Sequence, residues 1–329
     1  MNIMDEFAVM DISFVIIGYN EGSYLRKCLT AIQNADLEKI SSEIIYVDGG
    51  SQDDSIKIAK EVGVDRILGG DKRRRAAENR NLGFRNSKGR FIQFIDGDMV
   101  LDSSWPKHAL AFLSAHEHTA AACGRIREMN QSQFFQALQI DWSETEGEVA
   151  FCGGSAMWRR DAFEAVGGFP ETVAYGEEPY LCWRVRNELG LKIFYLDRLM
   201  VDHNLGYSGF GDYWRRNVRC GKTYAEIATL CYNTRDRLWS KMVVSNLVWS
   251  AVLLSAAIIF LVASLFIKSC IALLFCSILF RKTYQLLKKG KSLPVSIIYS
   301  LHVYFSKLPL AWGECLWFIR KMLVKPQKT

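Results

Sequence analysis

Ile12-Ser13-Phe14-Val15-Ile16-Ile17 is an apolar run that Gly18-Tyr19-Asn20-Glu21 breaks. Tyr24–Asn34 then places Leu25, Cys28, Leu29 and Ile32 on one helical face. The pattern recurs downstream. Ile44–Val47 runs into Asp48-Gly49-Gly50-Ser51 and the helical stretch Asp53–Val62, and Phe91–Ile95 runs into Asp96-Gly97-Asp98. Strand, loop and helix in repetition predict an α/β fold: a Rossmann-like, mostly parallel sheet with helices on both faces. Ligands of such sheets bind beyond the carboxyl ends of the strands. Tyr19-Asn20-Glu21, Asp48 and Asp96/Asp98 all stand at such ends, so three strands deliver polar side chains to one edge.

The 329 residues are half hydrophobic and 23% charged, which excludes disorder as the dominant state. The net charge of +6 is unevenly spread. Residues 241–329 hold twelve Lys or Arg against one acid, Glu314, whereas residues 1–240 hold 29 basic and 34 acidic residues. A basic, apolar tail on a mildly acidic body fits a membrane surface and argues against nucleic acid, whose binders carry the basic stripe on the folded domain. Nine cysteines scatter from Cys28 to Cys315 without a CxxC pair, which speaks against a disulfide framework or a zinc site and for a reducing compartment. The N-terminal residues 1–17 have no basic n-region or small-residue cleavage site, so no signal peptide is expected.

From Met242 to Phe280 the chain is apolar or small apart from Lys268. As helix this is roughly 58 Å, about twice the hydrocarbon thickness of a bilayer, and predicts a hairpin of two short spans with Lys268 near its turn. Arg235, Arg237 and Lys241 precede it, and Arg281, Lys282, Lys288, Lys289 and Lys291 follow it. By the positive-inside rule both ends, and with them residues 1–240, face the cytoplasm. Leu293–Leu323 mixes apolar residues with His302, Lys307, Glu314 and Arg320, and reads either as a third span or as an interfacial amphipathic helix. The competing reading of Met242–Phe280, a buried helical pair in water, conflicts with its uninterrupted apolar character.

Asp96-Gly97-Asp98 offers two carboxylates about a glycine, a pattern that suits Mg²⁺ or Mn²⁺ and, through it, a diphosphate leaving group. Read alone it is also an ordinary acidic turn. Asp48 can accept bonds from a base or a ribose, while Ser51 and Asp53 read as caps of the next helix. Glu177-Glu178 supplies a carboxylate pair for general base work, or simply complements a helix N-terminus. Lys72-Arg73-Arg74-Arg75 reads as a solvated loop, His108, His116 and His118 as surface residues, and Trp142 as packing. Gly153-Gly154 lacks the Lys-Ser/Thr of a phosphate loop, and no GxGxxG is present.

Tyr19-Asn20-Glu21, Val47-Asp48-Gly49-Gly50-Ser51-x-Asp53, Arg80-Asn81-Leu82-Gly83 and Asp96-Gly97-Asp98, in this order, resemble the family 2 glycosyltransferases. Gly153–Phe163, Gly167-Gly168-Phe169-Pro170, Gly176-Glu177-Glu178-x-x-Leu181-x-x-Arg184 and His203 extend the likeness over about residues 11–221. The resemblance implies the GT-A fold and inverting transfer from a nucleotide-diphosphate sugar. It implies that Tyr19, Asn20, Glu21, Asp48, Gly50, Arg80 and Asp96 bind the nucleotide-sugar, with Asp48 at the base. It implies that Asp98, Asp96 and His203 hold Mn²⁺ or Mg²⁺, and that Glu178 stands where the family has its catalytic base. The family usually has Glu-Asp where this chain has Glu177-Glu178, which leaves Glu177 as the other candidate. Trp214, Arg215, Arg216 and Arg219 resemble the segment that follows the catalytic domain in membrane-attached members, and meet either an acceptor diphosphate or lipid headgroups. The Gln-x-x-Arg-Trp motif of processive synthases is absent.

These readings predict a cytoplasmic GT-A catalytic domain over 1–240 and a C-terminal membrane region over 241–329. The expected activity is transfer of one sugar to an acceptor hydroxyl at the cell membrane, the acceptor being a lipid-linked saccharide of exopolysaccharide or cell-envelope synthesis. The alternatives are a polyprenyl-phosphate glycosyltransferase and a catalytically silent membrane scaffold.

Overall fold

The computed structural model describes residues 10–142, 145–232, 234 and 236–323. Residues 1–9, which carry part of the signal-peptide reading, together with Arg235 and 324–329, lie outside the described residues. The chain forms two compact units: Met1–Met129 with Trp142–Asn204, and Asn130–Asp141 with Leu205–Thr329.

In the first unit β1 (Ile12–Gly18), α1 (Gly22–Gln33), β2 (Ser42–Asp48), α2 (Ser55–Val62), β3 (Arg66–Gly69), α3 (Ala76–Arg85) and β4 (Phe91–Asp96) alternate; the periodicity predicts β1, α1, β2, α2 and β4, and the structure adds β3 and α3 between them. β5 (Met99–Leu101), α4 (Trp105–Ala115) and β6 (Thr119–Glu128) follow. The chain then enters α5 (Gln133–Leu138), a segment of the second unit. It returns for β7 (Gly147–Glu148), β8 (Met157–Arg159), α6 (Arg160–Ala165), α7 (Glu177–Glu188) and β9 (Lys192–His203). The nine strands form one sheet in the order β3-β2-β1-β4-β8-β6-β9-β5, with β7 on β9. The first four strands are parallel. Beyond them the sheet is mixed: β8 runs antiparallel to both β4 and β6, and β6 is again parallel to β9. The local β–loop–α pattern that signals parallel pairing ends at Asp98, so the mixed half left no periodic trace.

Every residue of β1 is buried, as a strand covered on both faces requires. Alternate residues serve two cores. Val15 and Ile17 join Ile45, Val47, Phe94, Trp158, Phe163 and Phe169 on one face. Phe14 and Ile16 join Leu25, Leu29, Tyr46, Ile95 and Trp105 on the other. Pairing of Gly18 with Asp48 and of Ile17 with Asp96 aligns three strand ends at one edge.

In the second unit α8 (Phe210–Leu230), α9 (Leu238–Val262), α10 (Leu265–Lys288), α11 (Leu293–Phe305) and α12 (Lys307–Leu323) follow one another. The compact units divide at Asn204 and Leu205, not at 240, because α8 packs on α12. A Cβ on Gly221 of α8 would lie 2.0 Å from the Leu310 carbonyl, and one on Gly313 of α12 would lie 2.1 Å from that of Val218. Only glycine permits two backbones to approach this closely. The apolar run folds as two helices broken at Ala263, with Lys268 in the opening turn of α10. Among the described residues one helix, α9, is long and apolar enough to cross a membrane, and 17% of its most apolar window is buried. α10 ends in Arg281, Lys282 and Lys288, which shortens its apolar stretch. The third segment breaks at Ser306 into helices of 13 and 17 residues, each shorter than the ~20 residues of a span. Its charges divide: Arg320 is exposed, whereas Glu314 is internal. Glu314 is fully buried and accepts a 2.6 Å bond from Asn246, whose side-chain oxygen accepts one of 2.8 Å from Lys307.

Helix α3 rests on the sheet through Gly83, where a Cβ would fall 2.2 Å from Val15 Cγ1 and 3.1 Å from Val47 Cγ2. We expect Gly83→Ala to lower stability by about 1–3 kcal/mol through overpacking, despite the gain in helix propensity. Adding Val15→Ala should recover part of that loss, which denaturant titration of the three variants would show. Additive losses would place the strain elsewhere.

Candidate active site

The strand ends of the first unit build the site. The loop after β1 is tied to the loop after β2. Asn20, at φ +57°, receives a bond from Gln52 N–H at 2.8 Å, while its own N–H donates to Ser51 Oγ at 2.9 Å. Gly22 N–H donates to Asp53, which also accepts from the Ser55 N–H and hydroxyl. Asn20, Ser51 and Asp53 therefore shape the edge rather than project from it.

Asp48 is fully buried. Its Oδ2 accepts from Gly50 N–H at 2.8 Å and Ser51 N–H at 2.7 Å, and its Oδ1 from the Tyr46 hydroxyl at 3.0 Å. Both oxygens are engaged by the protein, so in this structure Asp48 organises the turn and does not reach out towards a base. Gly50 lies at φ +90°, where a Cβ would sit 2.7 Å from the Lys72 carbonyl. Lys72, Arg73 and Arg75 are exposed, as the reading of Lys72–Arg75 as a solvated loop expects, while the backbone of the run packs against Gly50. The run folds over Gly49-Gly50, Arg73 stacks 3.5 Å over the Tyr19 ring and donates to the Gly49 carbonyl, and Arg75 donates to the Glu171 carbonyl. Alternating roles along four consecutive cations carry no periodic signal.

Asp96 and Asp98 close β4. Met99 of β5 lies opposite His203 of β9, which brings His203 Nε2 to 3.5 Å from Asp98 Oδ2. Asp98 Oδ1 is buried without a hydrogen-bond partner. Glu21 is half-buried, and burial together with Asp98, Asp96 and Asp53 pushes its carboxyl up to about 7. An orphaned carboxylate oxygen, a facing imidazole and an excess of negative charge are what a hard divalent cation would relieve. Carboxylate and imidazole donors of this kind suit Mn²⁺ or Mg²⁺.

Arg80 is 4% exposed. It donates to Asp96 Oδ1 at 2.7 Å and reaches Glu177 Oε1 at 3.4 Å. Burial works against its charge, but Asp96 and Glu177 outweigh it and hold the guanidinium above its ordinary pKa. A Cβ on Gly154 would meet Arg80 Nη2 at 2.4 Å, so the Gly153-Gly154 loop backs this cation closely.

Glu177 and Glu178 open α7 and part company. Glu177 turns to Arg80. Glu178 is buried, and its Oε1 accepts from Cys152 N–H at 2.8 Å and from the Cys182 thiol at 2.9 Å. Burial raises its pKa above the usual carboxylate range against the bonds from Cys182 and Cys152. The two thiols lie 3.6 Å apart, and burial pushes Cys182 up to about 11 and Cys152 higher still. Sequence reading missed this pair. The signal available was Cys182 four residues after Glu178 on one helix.

Trp214, Arg215, Arg216 and Arg219 belong to α8 of the second unit and are not among the strand-end residues of the first. Arg215 donates to Asp212 on the surface of that helix, and Trp214 packs with Phe210 and Phe305.

The family described as Glycosyl transferase family 2 matches residues 13–167, and that described as Glycosyl transferase family 21 matches residues 113–306. Glycosyltransferase AglE of Haloferax volcanii is 26% identical over 252 residues, which cover 72% of this chain and 79% of that protein. The O-antigen chain rhamnosyltransferase RfbN of Salmonella typhimurium is 25% identical over 216 residues, 60% of this chain and 68% of that one. Among solved structures, the mannosyltransferase PcManGT from Pyrobaculum calidifontis in complex with GDP-Man and Mn²⁺ superposes with a TM-score of 0.65. It is 15% identical and covers 89% of this chain and 86% of that one. The sheet order and this superposition give the first unit the GT-A fold. With its strand-end motifs, its sheet and these matches taken together, the chain belongs to the family 2 glycosyltransferases.

Proposed function

We propose that this chain moves one sugar from a nucleotide-diphosphate sugar to an acceptor hydroxyl with inversion. The observation that carries the reading is the split of the carboxylates at one sheet edge. Asp98, with His203 and an orphaned oxygen, is built for a cation, and Glu178 is held separately as a protonatable group. Single displacement at an anomeric carbon needs a base for a weak hydroxyl nucleophile and charge stabilisation on the departing diphosphate. Glu178 suits the first task, because a carboxylate raised by burial accepts a proton more readily at neutral pH. The Cys152 N–H fixes its orientation. Glu177 shares its charge with Arg80 and serves to hold that cation against Asp96. Tyr19, stacked under Arg73, offers a face for a nucleotide base, while Asp48 and Gly50 preset the loop beneath it.

Asp98, His203 and Asp96 would hold the divalent cation, which when bound supplies positive charge to a diphosphate leaving group. Asp96 Oδ1 also fixes Arg80, a second cation at the same edge. The acceptor is proposed to be a lipid-linked saccharide and the location the cell membrane, with the catalytic unit facing the cytoplasm. Support comes from α9, whose apolar side chains are exposed along its length: Val248, Val252, Leu254, Ile258, Leu261 and Val262. A face of this kind is expensive in water and neutral in hydrocarbon.

Calorimetric binding of nucleoside diphosphates with Mn²⁺, then with EDTA, checks the donor site. Binding is expected with Mn²⁺ and lost with EDTA, and Asp98→Asn should weaken it and abolish turnover. Unchanged turnover in Asp98→Asn would remove the metal role. Glu178→Gln should leave donor binding intact and lower the rate by about 10²–10⁴. If Glu177→Gln alone does this, the base is Glu177. Membranes containing the full chain should release it to detergent and not to high salt or alkali, and release by salt would reduce α9 to a surface contact.

A further inference from the structure

We propose that Cys152, Glu178 and Cys182 form a binding site for a thiophilic divalent cation, with Zn²⁺ as the representative case. Spacing in the sequence hides it, because the two cysteines lie 30 residues apart and neither belongs to a CxxC pair. The fold brings them together. Glu178 and Cys182 stand one helical turn apart on α7, and Cys152 approaches from the loop before β8, pinned by its N–H bond to Glu178. Among the described residues these are the three side chains whose ligand atoms gather closely enough to hold one ion.

The geometry suits a tetrahedral ion. Zn–S bonds of about 2.3 Å and a Zn–O bond of about 2.0 Å require about 3.8 Å between sulfurs and about 3.5 Å between sulfur and oxygen. The observed separations are 3.6 Å for Sγ to Sγ, 3.6 Å for Cys152 Sγ to Glu178 Oε1, and 2.9 Å for Cys182 Sγ to the same oxygen. Two of the three edges are already in place, and the third opens by about 0.6 Å. Three ligands leave the fourth position to water or a substrate hydroxyl. Both cysteines and Glu178 are buried, so the ligands are held without the entropy cost of ordering surface side chains. Binding must release the thiol protons to solvent. A soft thiolate set repays that for Zn²⁺, Cd²⁺ or Co²⁺ and not for Mg²⁺ or Mn²⁺, so this site and the Asp98 donors select different metals.

The site itself follows from the side chains alone. Its consequence for turnover rests on the role proposed for Glu178: an ion on Oε1 lowers the proton affinity of the whole carboxylate, so Zn²⁺ should inhibit an enzyme that Mn²⁺ supports.

The experiment uses the full chain in detergent with a phosphine reductant, on a Cys270→Ser/Cys276→Ser background that removes two exposed thiols. Co²⁺ is titrated and the thiolate-to-metal charge-transfer absorption recorded, then Zn²⁺ is added. A saturable band that Zn²⁺ displaces is expected. Cys152→Ser and Cys182→Ser should each lose it, while Glu178→Gln, which keeps both thiols, should weaken Co²⁺ binding at least about tenfold. Circular dichroism melting identifies any variant that fails to fold, and Glu178→Gln then carries the comparison. No band in the parent, or the same band in all three variants, overturns the site. Zn²⁺ inhibition that Cys182→Ser relieves supports its consequence. A Co²⁺ band without Zn²⁺ inhibition confirms the site and counts against Glu178 as the base.

Discussion

The buried guanidinium of Arg80 is the constraint on which the catalytic edge depends. A cation 4% exposed is tolerable only if carboxylates meet it, and here they come from different elements: Asp96 from the end of β4 and Glu177 from the start of α7. Removing one partner of a buried pair typically costs about 3–5 kcal/mol, because the remaining charge is left uncompensated. The pair therefore fixes the distance between the strand end that would carry the cation and the helix that would carry the base. The residues beside Arg80 extend the same joint. Asn81 donates to the Phe169 carbonyl at 2.8 Å and accepts from its N–H at 2.9 Å, clamping the chain ahead of α7. Gly83 lets the helix that carries both sit against β1 and β2. Arg80-Asn81-Leu82-Gly83 is thus one structural device, with charge, clamp and close packing within about one turn of α3.

Adjacent residues at a helix start point about 100° apart, and that angle separates the two glutamates chemically. Glu177 faces the guanidinium of Arg80. Glu178 faces two thiols and the backbone N–H groups of Cys152 and Gly153 inside the protein, where burial disfavours charge.

Sequence periodicity revealed β1, β2 and β4 with α1 and α2, because each of these buried strands ends in a short polar loop, and the loops carry Asn20, Asp48, Asp96 and Asp98; the four-residue β3 and the polar helix α3 carried no such signal. The mixed half of the sheet was less legible. β7 has two residues, and β5 and β8 have three each, too few for any period to register. Among the site residues, types and places were readable but directions were not. Asp48 reads identically whether it faces a ligand or, as here, accepts from Gly50, Ser51 and Tyr46. Arg73 reads as one of four exposed cations until Tyr19 is found beneath it. The thiols around Glu178 depend on a tertiary contact between a loop and a helix. The unit boundary at Asn204 depends on a glycine-mediated helix crossing that no composition shift marks.

The second unit resolves a conflict within its own sequence. Lys307 and Glu314 look like the polar face of an amphipathic helix, yet Glu314 is fully buried and joined to Lys307 through Asn246 of α9. Asn246 bonds both partners, while Glu314 Oε2 lies buried without a hydrogen-bond partner among the described residues, and this polar chain ties α12 to α9 at one register more narrowly than apolar contacts would. The glycine crossing of α8 on α12 fixes the other side of the same helix. α12 is thus held by α8 and α9 through features that do not depend on the hydrophobic effect. Close backbone approach and internal hydrogen bonds of this kind hold helices together whether or not their apolar surfaces gain by meeting each other.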